Sequence, residues 1–170
     1  RMVKELDKLK VSMAVGETRI TDSHIEQYIG LSKEYNTFEL NDAVLKQDVG
    51  RAMRIAEHFA HNQKTYPITL TITILFGLFQ QLFLLNYHMW QSRKRGIPMP
   101  ADAELMRAIR ANNPFAVKEL KANIGRWNGP RLFKILGYLR EYDAKSKGVD
   151  SGGLDGGDLL KELLLKIFMS

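Results

Sequence analysis

The chain has 170 residues, 45% of them hydrophobic, with 25 Lys and Arg against 19 Asp and Glu and no cysteine. That content suffices for one packed domain plus a small appendage and sets disorder aside; the missing thiols exclude a disulfide scaffold and thiolate metal sites and fit a reducing cytosol. The net charge of +6 gathers in residues 93–147, thirteen Lys or Arg against five Asp or Glu. Such a surplus can serve nucleic acid or an acidic partner, the solvated faces of helices being the simpler reading.

In chain order, no signal-peptide pattern opens the sequence; a helical one starts at once, which reads as the start of a piece of something longer. Met2, Leu6, Leu9 and Met13 recur at i, i+4, i+7 and i+11, one stripe of an amphipathic helix that stops near Gly16. Thr21 can cap a second short helix with Ile25, Tyr28 and Ile29 inward and Gly30 just past its end. Two such helices bury little surface, so residues 1–30 read as the remnant of a neighbouring domain. The pattern changes at Leu31. Residues 37–45 give a short helix with Phe38, Leu40, Val44 and Leu45 on its apolar side, and Asp48 caps the next, striped by Ala52, Ile55, Ala56 and Phe59.

Residues 65–92 carry no Asp, Glu, Lys or Arg, and three readings of that run compete. A membrane span has the length it needs, about 20 apolar residues, but Gln80, Gln81, Asn86 and His88 lie inside it, where lipid offers no partners. A strand fits Ile68-Thr69-Leu70-Thr71-Ile72-Thr73-Ile74, which alternates and is rich in β-branched residues. Beyond Ile74, Leu75-Phe76, Leu78-Phe79 and Leu82-Phe83-Leu84-Leu85 follow helical spacing instead. A buried helix over about residues 67–95 accounts for most of the run: Pro67 suits a first turn, Arg93, Lys94 and Arg95 a last turn, and Gly96 its cap. At 1.5 Å per residue it is roughly 40 Å long, with Leu75, Phe79, Leu82 and Leu85 expected on its buried face.

Pro98 and Pro100 break the chain, Leu105, Met106 and Ile109 mark a short helix, and Asn113-Pro114 restarts the chain as cap and first-turn proline. Phe115, Val117, Leu120 and Ile124 carry the next helix towards Trp127. Gly129-Pro130 is a further break, followed by the stripe Leu132, Ile135, Leu136, Leu139 and Tyr142. Residues 148–157 read as a glycine-rich loop and residues 159–169 as a closing apolar helix. Helical period throughout after Ile74 makes the fold class all-α, a helical bundle.

Signatures of chemistry are few. No Gly-x-x-x-x-Gly-Lys-Ser/Thr cradle for nucleotide phosphates occurs. Gly152-Gly153-Leu154-Asp155-Gly156-Gly157-Asp158 precedes a helix, but its two carboxylates repel an anion and no Lys follows the glycines. The stretch also misses the carboxylate spacing of a calcium loop, with Lys161 where a bidentate Glu belongs if Asp150 opens it. His58 and His61 could share a helix face, yet no third ligand is near and they read as solvent-facing; His24 and His88 have no recognisable catalytic constellation around them. With no nucleophile elbow either, no catalytic, cofactor-binding or metal residue is assigned. Trp90 and Trp127 flank basic clusters (Arg93-Lys94-Arg95, and Arg126 with Arg131), an arrangement that can stack bases, although helix-end residues covering the core rim are the commoner use.

Six segments carry a likeness. Leu139-Arg140-Glu141-Tyr142-Asp143-Ala144-Lys145-Ser146-Lys147-Gly148 is followed, past a loop, by Leu159-Leu160-Lys161-Glu162-Leu163. Upstream lie Asn113-Pro114-Phe115-Ala116-Val117-Lys118, Gly50-Arg51-Ala52, Asn36-Thr37-Phe38-Glu39-Leu40-Asn41-Asp42-Ala43-Val44 and Ile20-Thr21-Asp22-Ser23-His24-Ile25-Glu26. Their order and spacing resemble the C-terminal half of the bacterial DNA polymerase III delta subunit family, the clamp-loader subunit that opens the sliding clamp. Residues 102–112 depart from that family's Ala-Leu-Gly flavour before the Asn-Pro turn.

The resemblance implies the end of a lid domain at residues 1–30 and a collar, an oligomerisation domain of five or more helices, at residues 31–170. It implies a non-catalytic, cofactor-free part of the nucleotidyltransferase holoenzyme that replicates DNA in the cytoplasm. The partners it implies are other clamp-loader subunits through the collar. The sliding clamp would be reached only through an N-terminal ATPase-like domain outside this chain, DNA indirectly or weakly, and a membrane not at all. A collar presents large faces to its neighbours in a ring, so Arg93, Arg95, Arg107, Arg110, Lys118 and Lys121 are the expected contact residues. The alternative, a free-standing basic helical module that binds nucleic acid, explains the charge but not the order of the motifs. An unrelated helical scaffold explains the core and little else.

Overall fold

Short polar side chains divide the chain into helices. In the computed structural model, which describes residues 35–170, Asn36 accepts a hydrogen bond from the Glu39 N–H at 3.0 Å and opens α1 (Thr37–Leu45). Asp48 accepts from the Arg51 N–H at 2.9 Å and opens α2 (Val49–His61). The next two, α3 (Ile68–Arg95) and α4 (Asp102–Ala108), start behind Pro67 and Ala101 with no side-chain cap. Asn113 accepts from Ala116 at 2.8 Å ahead of α5 (Pro114–Asn123), which runs into a 3-10 turn (Ile124–Arg126). Asn128 then opens α6 (Gly129–Ser146) and Asp155 opens α7 (Gly156–Phe168), each accepting at 2.9 Å from the N–H three residues on.

Such caps satisfy N–H groups that a helix leaves orphaned. Asn113→Ala is therefore expected to lower stability by about 0.5–2 kcal/mol in urea denaturation, with helical content kept.

Among the described residues there is no strand, and the fold is an all-α helical bundle. The alternating residues 68–74 lie in the first turns of α3, where Thr71 and Thr73 hydroxyls donate back to the carbonyls of Pro67 and Thr69. Pro67 is the residue before the helix rather than its first member, and Gly96 ends it at φ 66°, a left-handed conformation that suits glycine.

By length and apolarity α3 passes the test for a membrane span; its most apolar 18-residue window has a mean hydropathy of 2.0 and is 39% buried in protein. It is a spine of the bundle. Ile72, Leu75, Phe79, Leu82 and Leu85 are buried, and the helix packs on α6, α1, α5 and α7. Two polar residues in its uncharged run meet backbone acceptors on neighbouring loops: Gln81 donates to the Arg110 carbonyl at 2.9 Å and Asn86 to the Trp127 carbonyl at 3.3 Å.

Around α3 the shorter helices pair by their stripes. Leu40, Ala43 and Val44 of α1 face Ala52, Ile55 and Phe59 of α2, and Arg51 ties the two through Asp42 at 2.7 Å. Leu159, Leu160, Leu163, Leu164 and Ile167 bury α7 between α2 and α6. The glycine-rich loop ends two residues earlier than the sequence predicts, because Asp155 caps α7 and draws Gly156 and Gly157 into its first turn.

Trp127 is not a rim residue. It is fully buried, its ring meets Phe79 edge-on at 5.3 Å, and its Nε1–H donates to the Leu45 carbonyl at 3.1 Å. The expected lid-end helices of residues 1–30 and the collar start at residue 31 lie outside the described residues.

Candidate interaction surfaces

All six basic residues expected at a partner contact are exposed. Arg107 rides on α4 and Lys118 and Lys121 on α5, two helices that pack together, with Arg110 in the turn between them. Arg93 and Arg95 sit on the last turn of α3, where Arg93 lines a cavity of about 360 Å³ with the 3-10 turn and the start of α6. Lys121 is paired with Asp102 at the head of α4; the other five make no ion pair among the described residues. The basic half therefore holds two groups: four residues on the α4/α5 hairpin, one of them neutralised, and two at the end of the spine.

A second surface was not legible as such. Phe38 and Phe115, expected on the inner faces of α1 and α5, are 73% and 67% exposed. At 3.6 residues per turn each lies about 200° round its helix from the buried residue two positions on, Leu40 or Val117. Both rings line one cleft of about 510 Å³ between α1, α3 and α5, whose floor is Ile74, Gly77 and Leu78. On its wall Asp42 and Glu119 are both approached by Lys46. What the sequence offered was the caps: Phe38 and Phe115 each stand two residues after a capping Asn, in a first turn, where a helix face is least constrained by its stripe.

Titratable groups answer to structural pairs. Lys161, hydrogen-bonded across from α7, holds the Glu57 carboxyl below its usual range, and the Asp158 N–H does the same for Asp155. Burial, aided by the Glu162 and Glu141 carboxylates, pushes the Tyr142 phenol well above its usual value. Burial lowers the Arg131 guanidinium, which lies over the Trp127 ring at 4.4 Å while donating to the Arg126 and Ile167 carbonyls.

His58, expected to face solvent, is instead half-buried within 6 Å of the Tyr35 and Tyr66 rings, because the Phe59–Tyr66 stack closes the bundle there. His61 is exposed and bonded to the Glu57 carbonyl. Among the described residues no three His, Cys, Asp or Glu side chains are grouped as metal ligands. No protein-family model, curated protein or solved structure matches the chain.

Proposed function

We propose that the chain is the lid-end and collar region of a clamp-loader subunit of the DNA polymerase III delta type. In that role it is a non-catalytic, cytoplasmic piece that joins other clamp-loader subunits, so that the whole protein can open and load the sliding clamp during DNA replication. The observation that carries the reading is where the likeness falls on the fold. The Asn36 and Asn113-Pro114 segments are helix caps, the run ending Lys147-Gly148 closes α6, and Leu159 to Leu163 form the buried face of the last helix. Two of these segments, far apart in sequence, also bring Phe38 and Phe115 to one cleft. Exposed aromatic side chains beside an apolar floor are the makings of a subunit contact.

The test is co-purification with clamp-loader subunits at moderate salt. Arg107→Glu, Arg110→Glu, Lys118→Glu and Lys121→Glu together are expected to weaken that assembly while circular dichroism stays helical. Since Lys121→Glu sets like charges beside Asp102, the triple variant that keeps Lys121 is the control for folding. Unchanged assembly, together with DNA affinity that falls steeply with salt and is lost in the variant, would replace this reading by a basic helical nucleic-acid-binding module.

A further inference from the structure

The spine helix keeps a second apolar face that the other described residues cover only in part. Thr73, Phe76, Gln80, Phe83, Tyr87 and Trp90 recur at steps of three and four on the side of α3 that flanks its buried stripe. The four aromatic residues among them are 36–46% exposed. Helix α6 runs antiparallel beside this face. A cavity of about 460 Å³ joins Thr73 and Phe76 to Leu136, Arg140 and Lys147, and at the other end the 360 Å³ cavity joins Trp90 and Arg93 to Asn128 and Gly129. Between them, on the row 129, 133, 136, 140, 143, 147 of α6, stands Phe133 at 72% exposure. Next to it, Gly137 has no neighbour within 4 Å of where a Cβ would stand. Thr73 to Lys94 spans about 32 Å at 1.5 Å per residue, the length of a helix of about 20 residues.

Charge selects the occupant. At one end Arg93, Lys94 and Arg95 have no carboxylate partner among the described residues, and at the other Arg140 has none. The one acid along the groove, Asp143, is already held by Lys147 at 2.7 Å. Two copies meeting groove to groove would therefore set these cations against one another with no anion between them. A nucleic-acid strand would lay several phosphates along the middle, where residues 65–92 hold no cation to meet them.

We propose that the α3/α6 groove is a docking site for an amphipathic helix of another protein, its apolar stripe on Phe76, Phe83 and Phe133 and acidic residues at both of its ends. The mode is helix-in-groove recognition: aromatic side chains anchor the partner and end charges set its register and choice. The proposal stands apart from the clamp-loader reading and needs only this groove.

Trp90 makes it measurable, because the other tryptophan, Trp127, is buried in the core. The probe is a synthetic 21-residue helical peptide with Leu at helical spacing and Glu at both ends, titrated into the full chain while tryptophan emission is followed. Saturable binding with a shift to shorter wavelength is expected. Exchanging the terminal Glu for Lys, or introducing Arg93→Glu with Lys94→Glu, should weaken it about tenfold or more. Phe76→Glu, which sets a carboxylate among the apolar lining of the 460 Å³ cavity at a half-exposed helical position, should weaken it about tenfold or more with the melting transition kept. The proposal is overturned by no saturable binding, by equal affinity for Glu-ended and Lys-ended peptides, or by unchanged binding to the Phe76→Glu chain. Quenching of Trp90 by a 20-nucleotide oligo-dT that outcompetes the peptide would reassign the groove to single-stranded nucleic acid, and concentration-dependent dimerisation through it to a second copy.

Discussion

Trp127→Ala is expected to lower the unfolding free energy by about 3–5 kcal/mol, and Phe79→Ala by a similar amount, read from urea midpoints at constant slope. Three independent attachments meet at the Trp127 ring. It is fully buried against Phe79 of the spine, it hydrogen-bonds the Leu45 carbonyl at the end of α1, and Arg131 covers its face on the way to the end of α7. Removing it opens a cavity where α1, α3 and α6 converge, and also strands a backbone acceptor. Trp127→Phe separates the two effects: it keeps most of the apolar volume but leaves the Leu45 carbonyl unpaired, for an expected loss of about 1–3 kcal/mol. Because the Phe79 and Trp127 rings touch edge-on, the double alanine variant should lose less than the two single losses added, by about 0.5–1.5 kcal/mol. A Trp127→Ala loss below about 1 kcal/mol would mean that this junction is not the packed centre described here.

Much of the bundle was legible because helix signals in this chain are redundant. Asp48 and Asn113 read as caps and are caps; the stripes of α2, α3 and, Leu136 apart, α6 read as buried and are buried. The β-branched alternation of residues 68–74 is overridden by the periodicity that follows it, since one continuous helix carries the backbone hydrogen bonds of the run and, among the described residues, there is no other strand for seven extended residues to pair with. Residues whose fate is set across the fold were not legible. Trp127 follows a helix and reads as an end residue; only the contact with Phe79, 48 positions away in a chain of 170 residues, makes it core.

The surfaces were legible only in part. Formal charge identified the basic residues, but it could not show that Asp102 engages Lys121. Phe38 and Phe115 looked like core by residue type. A one-dimensional stripe tolerates a large apolar residue one step off its face, whereas the folded helix turns that residue outward. The same reasoning applies to α3, whose apolar residues extend past its buried stripe and so hid a half-exposed face from any reading that asks only which side is hydrophobic.

The crossing of α2 and α7 yields the second large effect, from a residue that has no side chain. Gly157→Ala is expected to destabilise the chain by about 1–3 kcal/mol, although at a helical position alanine is intrinsically preferred over glycine by about 0.5–1 kcal/mol. Gly157 is buried, and a Cβ placed on it would fall 2.4 Å from the Ala60 Cβ and 2.9 Å from the Ala60 Cα. The clash is with backbone as well as side chain, so rotamer changes cannot relieve it and the two helices must move apart. One turn further along, Lys161 reaches Glu57 at 2.6 Å across the same crossing, so separation also lengthens an exposed ion pair whose own contribution is small. Ala60→Gly in the Gly157→Ala background removes the nearer of the two contacts and should recover part of the loss, less the cost of a glycine inside α2, leaving the 2.9 Å approach to the Cα. A thermal melt of the two single variants and the double reads out the coupling directly. If Gly157→Ala were to raise the midpoint, intrinsic propensity would be the stronger term and α2 and α7 would not approach as closely as described, whereas a loss partly recovered by Ala60→Gly fixes the crossing at these two residues.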